Sequence, residues 1–195
     1  MRVIVLGSDG FLGKNLATKF EGYGFIVLRV NRLVISFGDG DEYDRLKRTI
    51  EDFSPDIIIN ALGKIDNYLE ASGTSIFNSI FLPTLTIFDY FQSTEIEKQI
   101  KVLTFGSEAE GQPRRKYPIY AALKTAEANL VMTASEYFAG SKTNWLRLKL
   151  PRLNGGLGLV GIPYGQPSEN EDFEFVWEKV RVALGIDETH GENDG

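Results

Sequence analysis

The sequence predicts an α/β protein built on a doubly wound parallel sheet, and three observations predict it. Val3-Ile4-Val5-Leu6 and Ile57-Ile58-Ile59 are short unbroken runs of branched apolar residues, the pattern of strands covered on both faces. Segments with helical spacing separate the strand candidates, which implies strand–helix–strand units with right-handed crossovers. A glycine-spaced turn, Gly7-Ser8-Asp9-Gly10-Phe11-Leu12-Gly13, joins the first strand to the first helix.

The elements follow in order. Arg2 to Leu6 is the first strand. From Phe11 to Phe20 the apolar residues Leu12, Leu16, Ala17 and Phe20 share one helix face, and Gly22 and Gly24 end that helix. Phe25 to Val30 is the second strand, and Glu42 to Phe53 is an amphipathic helix with Leu46 and Ile50 on its inner side. Ser54-Pro55-Asp56 turns the chain into the strand Ile57 to Ile59. A helix is expected from Asn78 to Phe91 with Pro83 near its start, then a strand from Ile100 to Phe105. Pro118 to Phe138 is a long helix, and Asn144 to Leu150 is a further strand. After Pro151 come Gly155, Gly156, Gly158, Gly161 and Gly165, which suit a mobile loop over a site. Phe173 to Leu184 suits one last helix, and Glu188 to Gly195 is a polar, frayed end. The expected organisation is a single domain: a core over 1–150, a short loop and helix over 151–187, and a tail over 188–195.

Composition excludes several classes. The formal charge of −6 gives no support to nucleic-acid binding. The absence of cysteine removes disulfides, thiolate zinc sites and thiol nucleophiles together. The one histidine, His190, lies in the polar end, so a Ser-His-Asp hydrolase has no base and no metal site is expected. No basic stretch precedes an apolar run at the start, so no signal peptide is expected. The apolar stretches are too short to span a bilayer, and a cytoplasmic location is the expectation.

The glycine turn has the chemistry of a diphosphate site. Such a ligand needs close backbone approach, free N–H donors and the positive end of a helix. Gly7 allows the tight turn, Gly10 leaves room for phosphate, and Gly13 lets the helix pack against the sheet, as in the Rossmann fold. At the end of the second strand, Arg29-Val30-Asn31-Arg32 contains no acid to bind the ribose 2′-hydroxyl of NAD. Arg32 either pairs with the 2′-phosphate of NADP or is a solvated loop residue; the reading adopted is NADP, with NAD as the alternative.

A second constellation lies downstream. Tyr120 and Lys124 are four apart on a predicted helix and therefore share a face. An ammonium beside a phenol favours phenolate, so Lys124 is expected to draw the Tyr120 pKa down and make it a general acid or base. Ser107, thirteen residues before the tyrosine, is placed to hydrogen-bond a substrate oxygen.

With these residues in view, the sequence resembles the short-chain dehydrogenase/reductase superfamily over roughly residues 1–150. The matching positions are Gly7, Gly10 and Gly13, Asn60-Ala61-Leu62-Gly63, Asn78, Ser107, Tyr120 and Lys124. The glycine spacing resembles the extended or atypical branches. The run Pro55-Asp56-Ile57-Ile58-Ile59-Asn60-Ala61 is similar to sugar-nucleotide reductases and epimerases. The resemblance implies an NAD(P)-dependent oxidoreductase acting on an alcohol/carbonyl pair. Tyr120 would be its acid/base, Lys124 its ribose ligand and Ser107 its carbonyl orienter. It further implies that Asn78 supports a proton relay, Asp39 contacts adenine, and Asn60, Ala61, Leu62 and Gly63 line the cofactor. Asn78 as a helix cap and Asp39 as a turn residue remain the plain alternatives.

The departures are Leu62, where the family usually has a small residue, and the length after Pro151, about 45 residues. They leave a substrate pocket that is reduced, completed by a partner subunit or lost. An epimerase or dehydratase with recycled cofactor, and a cofactor-binding sensor without turnover, are the alternatives carried forward. Arg114-Arg115-Lys116, Arg147 and Arg152 are either phosphate or carboxylate ligands or solvated charge. The helices from Asn78 and Pro118 are those that pair across dimers in the superfamily, so the resemblance implies a homodimer; burial within one subunit is the alternative.

Overall fold

The computed structural model describes residues 1–63, 72–112, 114, 117–150 and 169–187, the side chains of 169–172 excepted. Its strands are β1 (Arg2–Leu6), β2 (Ile26–Val30), β3 (Ile57–Asn60), β4 (Ile100–Ser107) and β5 (Thr143–Leu150). Its helices are α1 (Phe11–Gly22), α2 (Glu42–Phe53), α3 (Gly73–Ser93), α4 (Pro118–Tyr137) and α5 (Glu169–Leu184). The five strands form one sheet in the order β2-β1-β3-β4-β5. Every pairing is parallel. This is the doubly wound Rossmann architecture that the alternation of strands and helices predicts.

Each face of the sheet carries its own apolar layer. Val3, Val5, Ile57, Ile59, Leu103 and Phe105 meet α1 and α5, where Phe20 and Trp177 cross edge to face at 5.1 Å. Ile4, Leu6, Ile58, Val102 and Trp145 meet α2, α3 and α4. The register sets rows of side chains across the sheet. Ile4, Ile58, Val102 and Trp145 form one row on the α3/α4 side. Two residues further along every strand the next row is Leu6, Asn60, Thr104 and Arg147. That face therefore turns polar as it approaches the carboxyl ends of the strands, where ligands bind in open α/β sheets.

Several element boundaries differ from the sequence expectation, among them the starts of α3 and α5 and the end of β4. α3 begins at Gly73, ahead of Asn78, because the Ser72 hydroxyl accepts the Ser75 N–H at 3.2 Å and caps the helix. Pro83 consequently lies inside the helix, where it is buried. β4 runs on to Ser107, because pairing with Leu150 of β5 holds it extended. α5 begins at Glu169, before Phe173. The expected glycine-rich loop lies outside the described residues over 151–168, and the expected tail lies outside them over 188–195. No helix among the described residues is long and apolar enough to cross a membrane.

Candidate active site

The glycine turn packs so closely that side chains are excluded at two of its positions. Gly7 has φ +80°, and a Cβ there would stand 3.0 Å from the Ala61 carbonyl oxygen at the end of β3. A Cβ at Gly13 would fall on the Gly7 carbonyl itself. The Gly7 and Ser8 N–H groups donate to the Val30 carbonyl at 2.8 and 3.2 Å, tying the turn to β2. Gly10 is the N-cap of α1 and supplies no side chain to the helix end. Lys14 donates to the Gly10 carbonyl at 2.9 Å, so the amides before it, of Phe11, Leu12 and Gly13, have no helical partner. The result is a bare helix N-terminus behind an exposed Asp9-Gly10 step, with room and donors for a diphosphate.

Arg32 and Asp39 are exposed on the segment that follows β2. Gly38, beside Asp39, has φ +100°, and the Asn78 amide occupies the space a Cβ there would need. Asn78 thus joins α3 to the loop after β2. Ala61 and Leu62 are half-buried at the exit of β3, and Gly63 is exposed. Asn60 is buried, and its side chain is held by side chain and backbone alike. Its amide donates to Thr84 Oγ1 at 3.0 Å, and its Oδ1 accepts the Leu62 N–H at 3.2 Å.

The structure brings Ser107, Tyr120 and Lys124 to one place. Ser107 ends β4, and its hydroxyl lies near the Tyr120 phenol, where it favours the ionised form. The Ser107 N–H donates to Glu110 Oε1 at 2.7 Å, and Ser107 Oγ accepts the Ala109 N–H at 3.2 Å. Lys124 is only 5% exposed. Its ammonium donates to the Phe105 carbonyl at 2.9 Å and to Glu127 Oε2 at 2.8 Å.

One expectation is overturned. Lys124 does not draw the Tyr120 phenol down; its pKa lies above the ordinary value of 10.0. Burial is the largest cause. The Ser107 hydroxyl opposes it, the charges of Glu127 and Glu110 add to it, and that of Arg147 opposes it. At neutral pH Tyr120 is therefore a phenol.

Glu127, Glu110, Thr84 and Thr104 were not singled out from sequence, yet they complete the site. Glu127 is 1% exposed. Besides Lys124 it accepts from the Thr84 hydroxyl at 2.9 Å and from Arg147 at 3.2 Å. Arg147 also donates to Glu110 Oε1 at 2.6 Å and to Thr104 Oγ1 at 3.1 Å. It is therefore not surface charge: its terminal nitrogens pair inside the protein, while its buried Nε has no partner among the described residues. Gly106 makes the room, since a Cβ there would stand 2.6 Å from Glu110 Oε1. A signal for Glu127 was present in the sequence: it falls on the buried stripe Ala121, Lys124, Glu127, Val131, Ala134, where a carboxylate needs a partner. Arg114 is exposed and donates to the Glu108 carbonyl at 3.0 Å; 115, 116 and 152 lie outside the described residues. Among the described residues no cluster suits a metal ion.

Comparisons with known proteins agree with this fold. The model of the NAD dependent epimerase/dehydratase family matches residues 3–149. A comparison with curated proteins gives no match. Among solved structures, an NADP complex of a short chain dehydrogenase from Burkholderia cenocepacia has a TM-score of 0.73 at 15% identity, covering 92% of this chain and 84% of that one. The bulky-bulky ketone specific alcohol dehydrogenase from Comamonas testosteroni has 0.72 at 13%, covering 93% and 83%. The 3-alpha-hydroxysteroid dehydrogenase from a Pseudomonas species, complexed with NADH, has 0.68 at 14%, covering 79% and 73%. At such identities the likeness shows a shared fold.

Proposed function

This chain belongs to the NAD dependent epimerase/dehydratase family, and from that premise we propose that it is a nicotinamide-dependent oxidoreductase acting on an alcohol/carbonyl pair. The observation that carries the reading is one site with two halves. At the carboxyl end of β1 the turn excludes side chains and leaves amides free. At the end of β4, Ser107, Tyr120 and Lys124 converge.

The residues present fit a dinucleotide. The amides of Phe11, Leu12 and Gly13 would hold its diphosphate, Ala61 to Gly63 would lie along it, and Lys124 would offer its remaining N–H to a ribose hydroxyl. The chemistry a nicotinamide supplies when bound is hydride exchange with the substrate carbon. Ser107 orients the substrate oxygen. In reduction Tyr120 gives its phenolic proton to that oxygen and is left as phenolate; in oxidation the phenolate must be formed first, and it then takes the hydroxyl proton. The raised phenol pKa supports the reductive direction, because the resting side chain already carries the proton.

NADP is the preferred cofactor in this reading, supported by exposed Arg32 just past β2 and by the lack of an acid in Arg29-Val30-Asn31-Arg32. The substrate is a small molecule, first among the candidates a sugar nucleotide. The assembly is a homodimer across α3 and α4, supported by exposed Ile119, Met132 and Tyr137 on α4. The setting is the cytoplasm.

The family match itself favours a second reading, epimerisation or dehydration with the cofactor recycled. That reading expects cofactor retained through purification and no net consumption of NADPH. The deciding experiment is titration of the purified protein with NADPH and NADH, followed by nicotinamide fluorescence, after assay for cofactor already bound. Saturable binding, tighter for NADPH, is expected. A carbonyl screen with Tyr120→Phe as the inactive control would follow. Failure of both nucleotides to bind, with none carried through purification, overturns the oxidoreductase.

A further inference from the structure

We propose that Glu127 is a positioning residue: it holds the Lys124 ammonium from behind and adjusts how readily Tyr120 parts with its proton. The inference rests on the reading of Tyr120 and Lys124 given above. It starts from donor arithmetic. An ammonium has three N–H groups. Two are committed, to the Phe105 carbonyl at 2.9 Å and to Glu127 Oε2 at 2.8 Å. Among the described residues the third has no partner, so the two fixed bonds point it outward.

Glu127 is itself fixed. Its Oε1 accepts from Thr84 on α3, whose hydroxyl accepts in turn from the Asn60 amide on β3. Its Oε2 is shared with Arg147 on β5. Three elements outside α4 therefore determine where the carboxylate stands, and the carboxylate determines where the lysine stands. The chain from Asn60 links the strand end beside the glycine turn to the catalytic helix.

Charge supplies the second half. The groups acting on Tyr120 are Glu127 from its own helix, Glu110 and Ser107 from the β4 end, and Arg147 from β5, with Lys124 paired to Glu127 behind them. The four charged side chains sum to zero. Removing the Glu127 charge leaves the set at plus one and unmasks Lys124, which favours phenolate.

The test is made on the cofactor-free full chain. The phenolate absorbance of Tyr120 is followed against pH as the difference between the protein and its Tyr120→Phe form. NADPH and NADH affinities are measured by fluorescence on the same samples. Glu127→Gln is expected to move the Tyr120 midpoint down by about 1 pH unit. It is also expected to weaken the preferred nucleotide about tenfold, the effect of losing one charge-assisted hydrogen bond. If Glu127→Gln fails to fold, Glu127→Asp serves instead. It keeps the charge but withdraws it by one carbon, and should give smaller changes of the same sign. An unchanged midpoint and unchanged affinity in whichever variant folds overturn the proposal. The oxidoreductase reading fails separately, if the unaltered chain binds neither nucleotide.

Discussion

The two faces of this sheet solve the same packing problem with different materials. On the α1/α5 side, Phe20, Phe25, Trp177 and the inward residues of β1, β3 and β4 form a layer without a buried charge among the described residues. On the α3/α4 side a similar apolar layer gives way, one row later, to Asn60, Thr84, Thr104, Lys124, Glu127 and Arg147. Burying ions costs several kcal/mol each before any pairing, and well-packed apolar residues of the same volume often stabilise more. A folding argument alone would therefore fill both faces with the first material. The polar row stands at the strand ends beside Ser107 and Tyr120, so the difference teaches where the fold gives up stability for chemistry.

The largest effect that breaks this contrast should come from the apolar face. Trp177→Ala removes a ring that packs on Phe20 and Tyr23 and should cost about 3–5 kcal/mol, read from denaturant unfolding. Nucleotide affinity of the folded fraction should be unchanged. Lys124→Met should come next, at about 3 kcal/mol, because Glu127 keeps only Arg147 as a charged partner. Here nucleotide affinity should fall as well. The pair Lys124→Met with Glu127→Leu sharpens the comparison. Unfolding should return to within about 1 kcal/mol of the starting protein, since the pair is exchanged for apolar volume, while cofactor binding stays weak. Recovery of both properties together would show that the polar row serves stability after all.

Smaller effects test the charges one by one. The folded pKa of Tyr120 is raised, so its contribution to stability is complete below the unfolded value of 10.0 and is lost as pH rises through the folded value. Tyr120→Phe should therefore flatten the fall in stability above pH 10.0 and leave neutral pH little changed, checked by thermal unfolding across that range. Arg29→Ala on the exposed side of β2 removes a surface pair with Glu21 and should cost less than about 1 kcal/mol, vanishing in high salt.

Much of this was legible in the sequence, for reasons that differ by region. The unbroken runs Val3–Leu6 and Ile57–Ile59 can only be strands buried on both faces, and they are. Gly7, Gly10 and Gly13 report backbone crowding, a local constraint that leaves its mark at fixed spacing. Tyr120 and Lys124 are linked by helical periodicity. The start of α3 was hidden because Pro83, which disfavours a helix interior, placed the expected start too late in the sequence. The clamp on Lys124 was hidden for another reason: Asn60, Thr84, Glu127 and Arg147 come from four elements, and only sheet register brings them together. Spacing alone also could not tell that burial would hold the Tyr120 phenol up against the expected effect of Lys124.

The two tryptophans of this chain fall one to each layer, Trp177 against α1 and Trp145 beneath α3 and α4. Replacing either by phenylalanine leaves a single indole embedded in one side of the sheet. The fold thus comes with its own pair of optical gauges, which can tell whether the plain half and the charged half come apart in one event or in two.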